Sequence, residues 1–273
     1  MRTIGTFFGS FFSAKLFLVM SVAVVVFLLP LQVLSAEDSL DAEAASGLNA
    51  QERLTYMGRE IARTMSYHGA NWLTRDTREQ EENPQKLINA LQVKPGQQVC
   101  DFGCGNGYYS LRLAPLVGKQ GRIFAVDIQQ EMLDLLEERS KARGVTNVVP
   151  VLAAVDAPNL GDVSLDLVIM VDVYHELSYP SEILKAIYEK MSPTGRIALV
   201  EYREEDPTVP IRPRHKMSQA QAMKELVANQ FKLVGQFDDL PWQHVLYFSR
   251  QDSPLPKVAL KLWKPAISSK KAP

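Results

Sequence analysis

Residues 96–127 read GQQVCDFGCGNGYYSLRLAPLVGKQGRIFAVD, and this stretch decides the fold. GQQVCDF at 96–102 reads as a buried strand. Three alternating glycines follow, Gly103, Gly105 and Gly107. YYSLRLAPLV at 108–117 then has the spacing of a helix, and GRIFAVD at 121–127 predicts a second strand. Strand, glycine loop, helix and strand in this order make a βαβ unit with parallel strands.

The alternation continues downstream. QEMLDLLEERSKARG (130–144) predicts an amphipathic helix ending at Gly144, VVPVLA (148–153) a strand and LDLVIMVDV (165–173) a buried strand. SEILKAIYEKM (181–191) reads as a helix, GRIALVEY (195–202) as a strand and SQAQAMKELVANQ (218–230) as a helix. KLVGQF (232–237) and HVLYFSR (244–250) close the pattern, and the short link between them makes one antiparallel. Such an order implies a largely parallel sheet covered on both faces. Upstream, Asn49 and Glu52 resemble a capping box opening a helix through QERLTYMGREIARTM, with Leu54, Met57, Ile61 and Met65 at helical spacing. A charged stretch then enters a helix ending near Leu91. The tail after Pro254, rich in lysine, is expected to be a loosely packed solvated end.

Composition narrows the function classes. Of 273 residues 46% are hydrophobic and 22% charged, which excludes a disordered chain. With 30 Lys+Arg against 31 Asp+Glu there is no cationic surplus for a phosphate backbone, so no nucleic-acid partner is expected. Two cysteines make no disulfide framework, and four scattered histidines make no metal site.

The glycine loop carries the chemistry. Asp101-Phe102-Gly103-Cys104-Gly105-Asn106-Gly107 is GxGxG preceded by an acid, not the GxGxxG of dinucleotide binders. The glycines let backbone approach a ligand, and the following helix N-terminus favours an anionic group. Asp101 suits an ammonium rather than a phosphate. Asp127 ends the second strand 24 residues beyond Gly103, where an acid chelates ribose hydroxyls. The ligand called for has a ribose and a zwitterionic end. Cys100 and Cys104 read as small buried residues, and the turn between them opposes a bridge.

At these residues the chain resembles the class I S-adenosylmethionine-dependent methyltransferases, over roughly residues 86–250. The resemblance implies an α/β fold with a Rossmann-like, doubly wound sheet of seven strands, mostly parallel, and one antiparallel strand near the C-terminus. It implies S-adenosylmethionine as cofactor, held by Asp101, Gly103, Gly105, Asn106 and Gly107 in the loop and by Asp127 and Ile128 after the second strand. Asp156 in LAAVDAPNL is either the acid near the adenine or a helix N-cap. DLVIMVDVYHEL places Val171 and Asp172 beside the cofactor, with Tyr174 and His175 towards a small-molecule methyl acceptor. His175 is the best-suited general base near neutral pH; the alternative is a histidine that only hydrogen-bonds the turn. Glu201, ending its strand with Tyr202 and Arg203, either faces substrate or pairs with Arg203. Tyr108, Tyr109 or Tyr174 are expected to stabilise the sulfonium by cation–π attraction. His215-Lys216 and Trp242-Gln243-His244 read as loops that close over the site, and His68 and Trp72 as parts of an N-terminal lid.

Within the family the chain looks most like the quinone-biosynthesis C-methyltransferases, and WLTRDTREQEENP is similar to exported bacterial relatives. The only thiols lie in the glycine loop, which argues against arsenite as acceptor. Two rivals are an exported binding protein that keeps the fold without turnover and a nicotinamide-dependent oxidoreductase. The intact loop and Asp127 oppose the first, and the GxGxG spacing opposes the second.

Arg2 and Lys15 precede LFLVMSVAVVVFLLPL (16–31), and Leu34-Ser35-Ala36 is followed by Glu37 and Asp38. That is the pattern of a signal peptide, or of a signal anchor if it is not cleaved. The charge order sends the rest of the chain outward, so the expected location is periplasmic or extracytoplasmic. Residues 16–34 are the expected membrane contact. The domains are then 1–36 signal segment, 37–48 linker, 49–92 helical lid region, 93–250 methyltransferase domain and 251–273 tail.

Overall fold

The computed structural model describes residues 54–265, and the signal segment and linker lie outside the described residues. The βαβ unit is present as read: β3 (Gln98–Phe102) and β4 (Arg122–Asp127) are parallel, with helix α3 (Ser110–Val117) between them. Helix α4 (Gln130–Ala142) leads to β5 (Val148–Leu152), then β6 (Leu165–Val171), helix α5 (Pro180–Lys190) and β7 (Met191–Arg203). Two-residue β8 (Lys216–Met217), helix α6 (Gln219–Ala228), β9 (Phe231–Phe237) and β10 (Gln243–Arg250) complete the sheet. The strand order is β5-β4-β3-β6-β7-β10-β9, with β8 added beside β7 and β10 the antiparallel strand. The order reverses between β3 and β6, and at such a switch point an open α/β sheet binds ligands beyond its carboxyl ends.

Both faces are covered because alternate strand residues are apolar in both directions. On one face Val99, Ile123, Ile169 and Val200 meet α3 and an earlier helix, α2 (Pro84–Leu91), which follows the single turn α1 (Arg78–Glu81). On the other, Cys100, Met170, Leu199 and Phe248 meet α5 and α6. Helix α2 ends at Leu91 as read; at its start Pro84 takes the first turn and the Asn83 side chain accepts the Lys86 N–H.

Three regions differ from the sequence reading. In place of a helix continuing to Met65, a hairpin joins β1 (Thr55–Tyr56) to β2 (Arg59–Glu60). Met57 and Gly58 both take positive φ, 47° and 97°, as a two-residue primed turn demands, and Leu54 is 77% exposed. The i, i+4 apolar spacing there was coincidental. Gln243 and His244 lie inside β10 and are buried, so they form no closing loop. Finally, the described part of the tail, to residue 265, is docked: Val258 donates its N–H to Leu233 O, and Gln236 holds both N–H and C=O of Lys261. Trp263 N–H reaches Gln219 Oε1 at 2.7 Å. The segment thus covers the edge strand β9, whose unpaired backbone would otherwise be exposed. Among the described residues no helix is long and apolar enough to cross a membrane.

The hairpin starts a strap that crosses the carboxyl edge. Its anchor is Arg59, whose guanidinium pairs with Glu225 of α6 at 2.7 Å and donates to the carbonyls of Tyr174 and His175. Glu225 is 0% exposed, so removing only its partner leaves a buried charge. Arg59→Met is expected to cost about 3–5 kcal/mol in urea unfolding. Arg59→Met with Glu225→Met should recover most of that loss; a single variant as stable as wild type would show that the pair carries no tertiary weight.

Candidate active site

The carboxyl ends of β3, β4, β6 and β7 and the strap line an open-mouthed cavity of about 190 Å³. One end lies over β4. There Asp127 lines the wall, its Oδ2 accepting Gly105 N–H at 2.9 Å and its Oδ1 accepting Gln129 N–H at 3.0 Å. Burial raises the Asp127 pKa against these backbone hydrogen bonds. Ile128, Ala153 and Val155 make the adjoining apolar wall. Gly103 and Gly105 form the floor at φ 70° and 51°. A Cβ on Gly103 would stand 2.3 Å from Val173 Cγ2, and one on Gly105 2.4 Å from Leu73 Cδ1, so neither position admits a side chain.

The middle of the cavity is bounded by Val171 and Asp172. Asp172 takes φ 53°, and its Oδ2 accepts from Gln243 Nε2 at 2.6 Å while Oδ1 is buried without a partner. Burial, together with Glu82 and Glu201, pushes its pKa well up. Arg75 and Arg78 grip Glu82 at 2.7 Å each, and Tyr202 donates to the same carboxylate at 2.8 Å.

The far end carries the titratable cluster. His175 Nδ1 lies 2.5 Å from Glu201 Oε2, and His175 Nε2 lies 3.2 Å from His215 Nδ1. Glu176 Oε1 is 3.9 Å from each of those facing nitrogens. Burial works against protonation of His175, but the Glu201 carboxylate outweighs it and raises the pKa. Burial pushes Glu176 up to about 7 and His215 down to about 4.

Of the residues expected at the site, Gly103, Gly105, Asp127, Ile128, Val171, Asp172 and His175 line this cavity. Glu201 stands directly behind His175 instead of pairing with Arg203, which donates to the carbonyls of Asp238, Leu240 and Pro241. Asp101 is buried under the glycine loop, accepting from Ser110 Oγ at 2.6 Å. Asn106 turns away to donate to Ala70 O, and Gly107 makes room for Leu136 of α4. Asp156 is exposed in a turn bridged by Ala154 and Ala157, and it neither caps a helix nor reaches the cavity. Tyr174 is wholly buried in the core, with Arg59 over its ring. Tyr108 and Tyr109 are already covered by the Arg78 guanidinium, 4.2 and 5.1 Å from their ring centroids. The histidines are not scattered: His175 and His215, 40 residues apart, face each other, a pairing that no sequence spacing announces. Arg75, Arg78 and Glu82 were also missed, because charged residues before a helix read as a solvated face.

A family model described as a methyltransferase domain matches residues 93–252. The chain is 30% identical over 128 residues to a demethylmenaquinone methyltransferase of Lactobacillus johnsonii, covering 46% of this chain and 51% of that protein. It is 26% identical over 145 residues to a ubiquinone/menaquinone biosynthesis C-methyltransferase of Vibrio campbellii, covering 52% and 56% respectively. The chain thus spans about half the length of these curated relatives. A solved structure of an S-adenosylmethionine-dependent methyltransferase from Aquifex aeolicus superposes with a TM-score of 0.64 at 23% identity. It covers 68% of this chain and 98% of that one, a likeness of fold.

Asp101 offers a test of the buried floor. Burial lifts its pKa from 3.8 to about 6 despite the Ser110 hydrogen bonds. A carboxyl with a folded pKa above its unfolded value adds stability that is complete below the unfolded pKa and lost as pH rises through the folded one. Asp101→Asn keeps an acceptor for Ser110 and does not ionise. The melting temperature of wild type relative to this variant is therefore expected to fall between about pH 4 and pH 7. A constant difference would rule out a desolvated carboxyl here.

Proposed function

This chain belongs to the methyltransferase-domain family of class I, S-adenosylmethionine-dependent enzymes, and from that premise we propose that it methylates a small molecule held at the histidine end of the cavity. The observation that carries the reading is one cavity lined both by a ribose-type acid, Asp127, and by His175, which Glu201 backs.

The residues present fit the cofactor. Asp127 offers lone pairs to a diol while the Gly105 and Gln129 amides hold it in place. Ile128, Ala153 and Val155 suit a flat apolar ring, and the backbone of Gly103 and Gly105 lines the same cavity. Asp172 Oδ1, buried and unpartnered on the wall, is the acceptor that an ammonium group would satisfy. That assignment moves the ammonium partner from Asp101, which Ser110 already occupies. When bound, S-adenosylmethionine supplies an electrophilic methyl group on a sulfonium.

The chain's part is alignment and proton handling. Holding the two reactants in one cavity removes much of the entropic barrier to in-line transfer. Trp72, Leu73 and Ile211 give the acceptor an apolar bed, and the facing pair His175 Nε2 and His215 Nδ1 stands beside it with Glu201 fixing the His175 ring. An acceptor hydroxyl meets its proton-handling partner there. The quinone-biosynthesis relatives support a phenolic or quinol-like acceptor. The N-terminal pattern supports export, with residues 16–34 meeting the membrane.

Isothermal titration of the chain with S-adenosylmethionine is expected to give micromolar binding. Asp127→Ala removes charge-assisted hydrogen bonds worth roughly 1.5–3 kcal/mol and should weaken it by about tenfold or more. A folded wild type that does not bind would leave the fold as a non-catalytic scaffold. For export, a periplasmic reporter fused after residue 50 is expected to be active; activity only of a cytoplasmic reporter would place the domain inside.

A further inference from the structure

The cluster at the acceptor end has a geometry that proton transfer alone does not require. Glu201 takes the Nδ1 side of His175, which in the neutral ring leaves the lone pair on Nε2. That nitrogen faces His215 Nδ1 at 3.2 Å, and one oxygen of Glu176 stands 3.9 Å from both. All three donor atoms lie within 4.8 Å of one another. Two nitrogens each about 2.0–2.1 Å from a shared ion stand about 3–3.4 Å apart, so the histidines are already at ligand spacing. Glu176 needs only a side-chain adjustment, and it is partly exposed to the cavity. A carboxylate behind a ligating histidine fixes its tautomer and raises its basicity, which is the position Glu201 holds. A bare His–His hydrogen bond accounts for the 3.2 Å separation but not for the second carboxylate in front.

The supports are rigid. His175 lies in the 3-10 turn Tyr174–Glu176 that follows β6, Glu201 lies within β7, and β6 pairs with β7 up to Val171 and Val200. His215 ends a turn held by the pairing of Lys216 with Tyr202.

We propose that His175 Nε2, His215 Nδ1 and Glu176 Oε1 bind one divalent first-row transition-metal ion, with its remaining coordination positions open to the cavity. Two imidazoles and one carboxylate favour zinc or iron(II) over magnesium or calcium, which take all-oxygen sets. The open positions take an oxygen of the methyl acceptor, a part of the inference that rests on the methyltransferase reading. A hydroxyl bound there releases its proton to solvent and remains as a metal-held oxyanion, so with the ion in place His175 serves as ligand, and it takes the proton-handling part only without the ion.

The test is cobalt(II) titration of the full chain, prepared without a polyhistidine tag and stripped with chelator, read by visible absorption and by metal content after dialysis. Cofactor titration is run on the same samples. Wild type is expected to bind one equivalent with a visible band that zinc displaces. His215→Ala and Glu176→Gln should each abolish the band while retaining cofactor binding, and Glu201→Gln should weaken cobalt binding about 10–100-fold. His68→Ala, at an exposed histidine outside the cluster, should leave the cobalt band unchanged. A wild type that binds cofactor but no stoichiometric cobalt overturns the metal site, as does a band that survives the His215→Ala, Glu176→Gln double variant. Cobalt binding without cofactor binding upholds the metal site and counts against the methyltransferase reading alone.

Discussion

The Asp127 carboxylate ties three segments together. It holds the glycine loop through the Gly105 amide and the start of α4 through the Gln129 amide. The Gln129 side chain in turn accepts Tyr67 N–H at 2.8 Å and donates to Met65 O at 2.9 Å, fixing the strap over the cavity. Floor, wall and roof of one end therefore depend on a single carboxylate. Burying it is unfavourable, as its raised pKa records, and the backbone amides that hold it only partly offset this. A diol donating two further hydrogen bonds supplies what the protein leaves unmade. The group that organises the fold locally is thus also the one with most to gain from the ligand.

The middle of the cavity follows a different logic. Glu82 is fully buried and survives there because Arg75, Arg78 and Tyr202 all donate to it. Arg78 also spreads over Tyr108 and Tyr109, and Arg75 over Trp72 at 3.8 Å. Aromatic rings that composition offers to a ligand cation are therefore spent on the protein's own guanidinium groups. Asp172 is the exception in this network, since one of its oxygens has no partner at all. In a low-dielectric setting an unpartnered carboxylate oxygen is costly, and a cationic ligand removes that cost.

What the sequence disclosed was what periodicity and strand ends encode. The Gly103–Gly107 loop, Asp127 and the order of strands were legible because each is a local pattern with a fixed consequence for backbone. Asp156 failed because an acid after a strand specifies no direction, and here Val155 rather than Asp156 faces the cavity. The region 54–60 failed because Met57-Gly58 is a weak turn signal beside a fair i, i+4 spacing; tertiary anchoring of Arg59 on Glu225 then favoured the hairpin. The tail misled through its lysines, whereas Val258 and Leu260 are what pack on the core. His175 was readable as a residue beyond a strand, but its partners were not. Glu201 is 26 residues away and His215 another 14, and only the pairing of β6, β7 and β8 sets them side by side.

That last point separates the site into parts of different stiffness. Glu201 lies within β7 and holds His175, in the short 3-10 turn Tyr174–Glu176 after β6, at both its ring (2.5 Å) and its backbone N–H (3.3 Å), so the pair is tied to the sheet through Glu201. His215, Ile211 and Trp72 ride on the strap and on the connection before β8, where substitution disturbs no core strand. Chemistry placed on strand ends and selectivity placed on covering loops allow the acceptor to vary while the reacting groups stay aligned. The same division explains why a family fold can be read from the glycine loop while the acceptor end depends on residues that only the folded chain assembles.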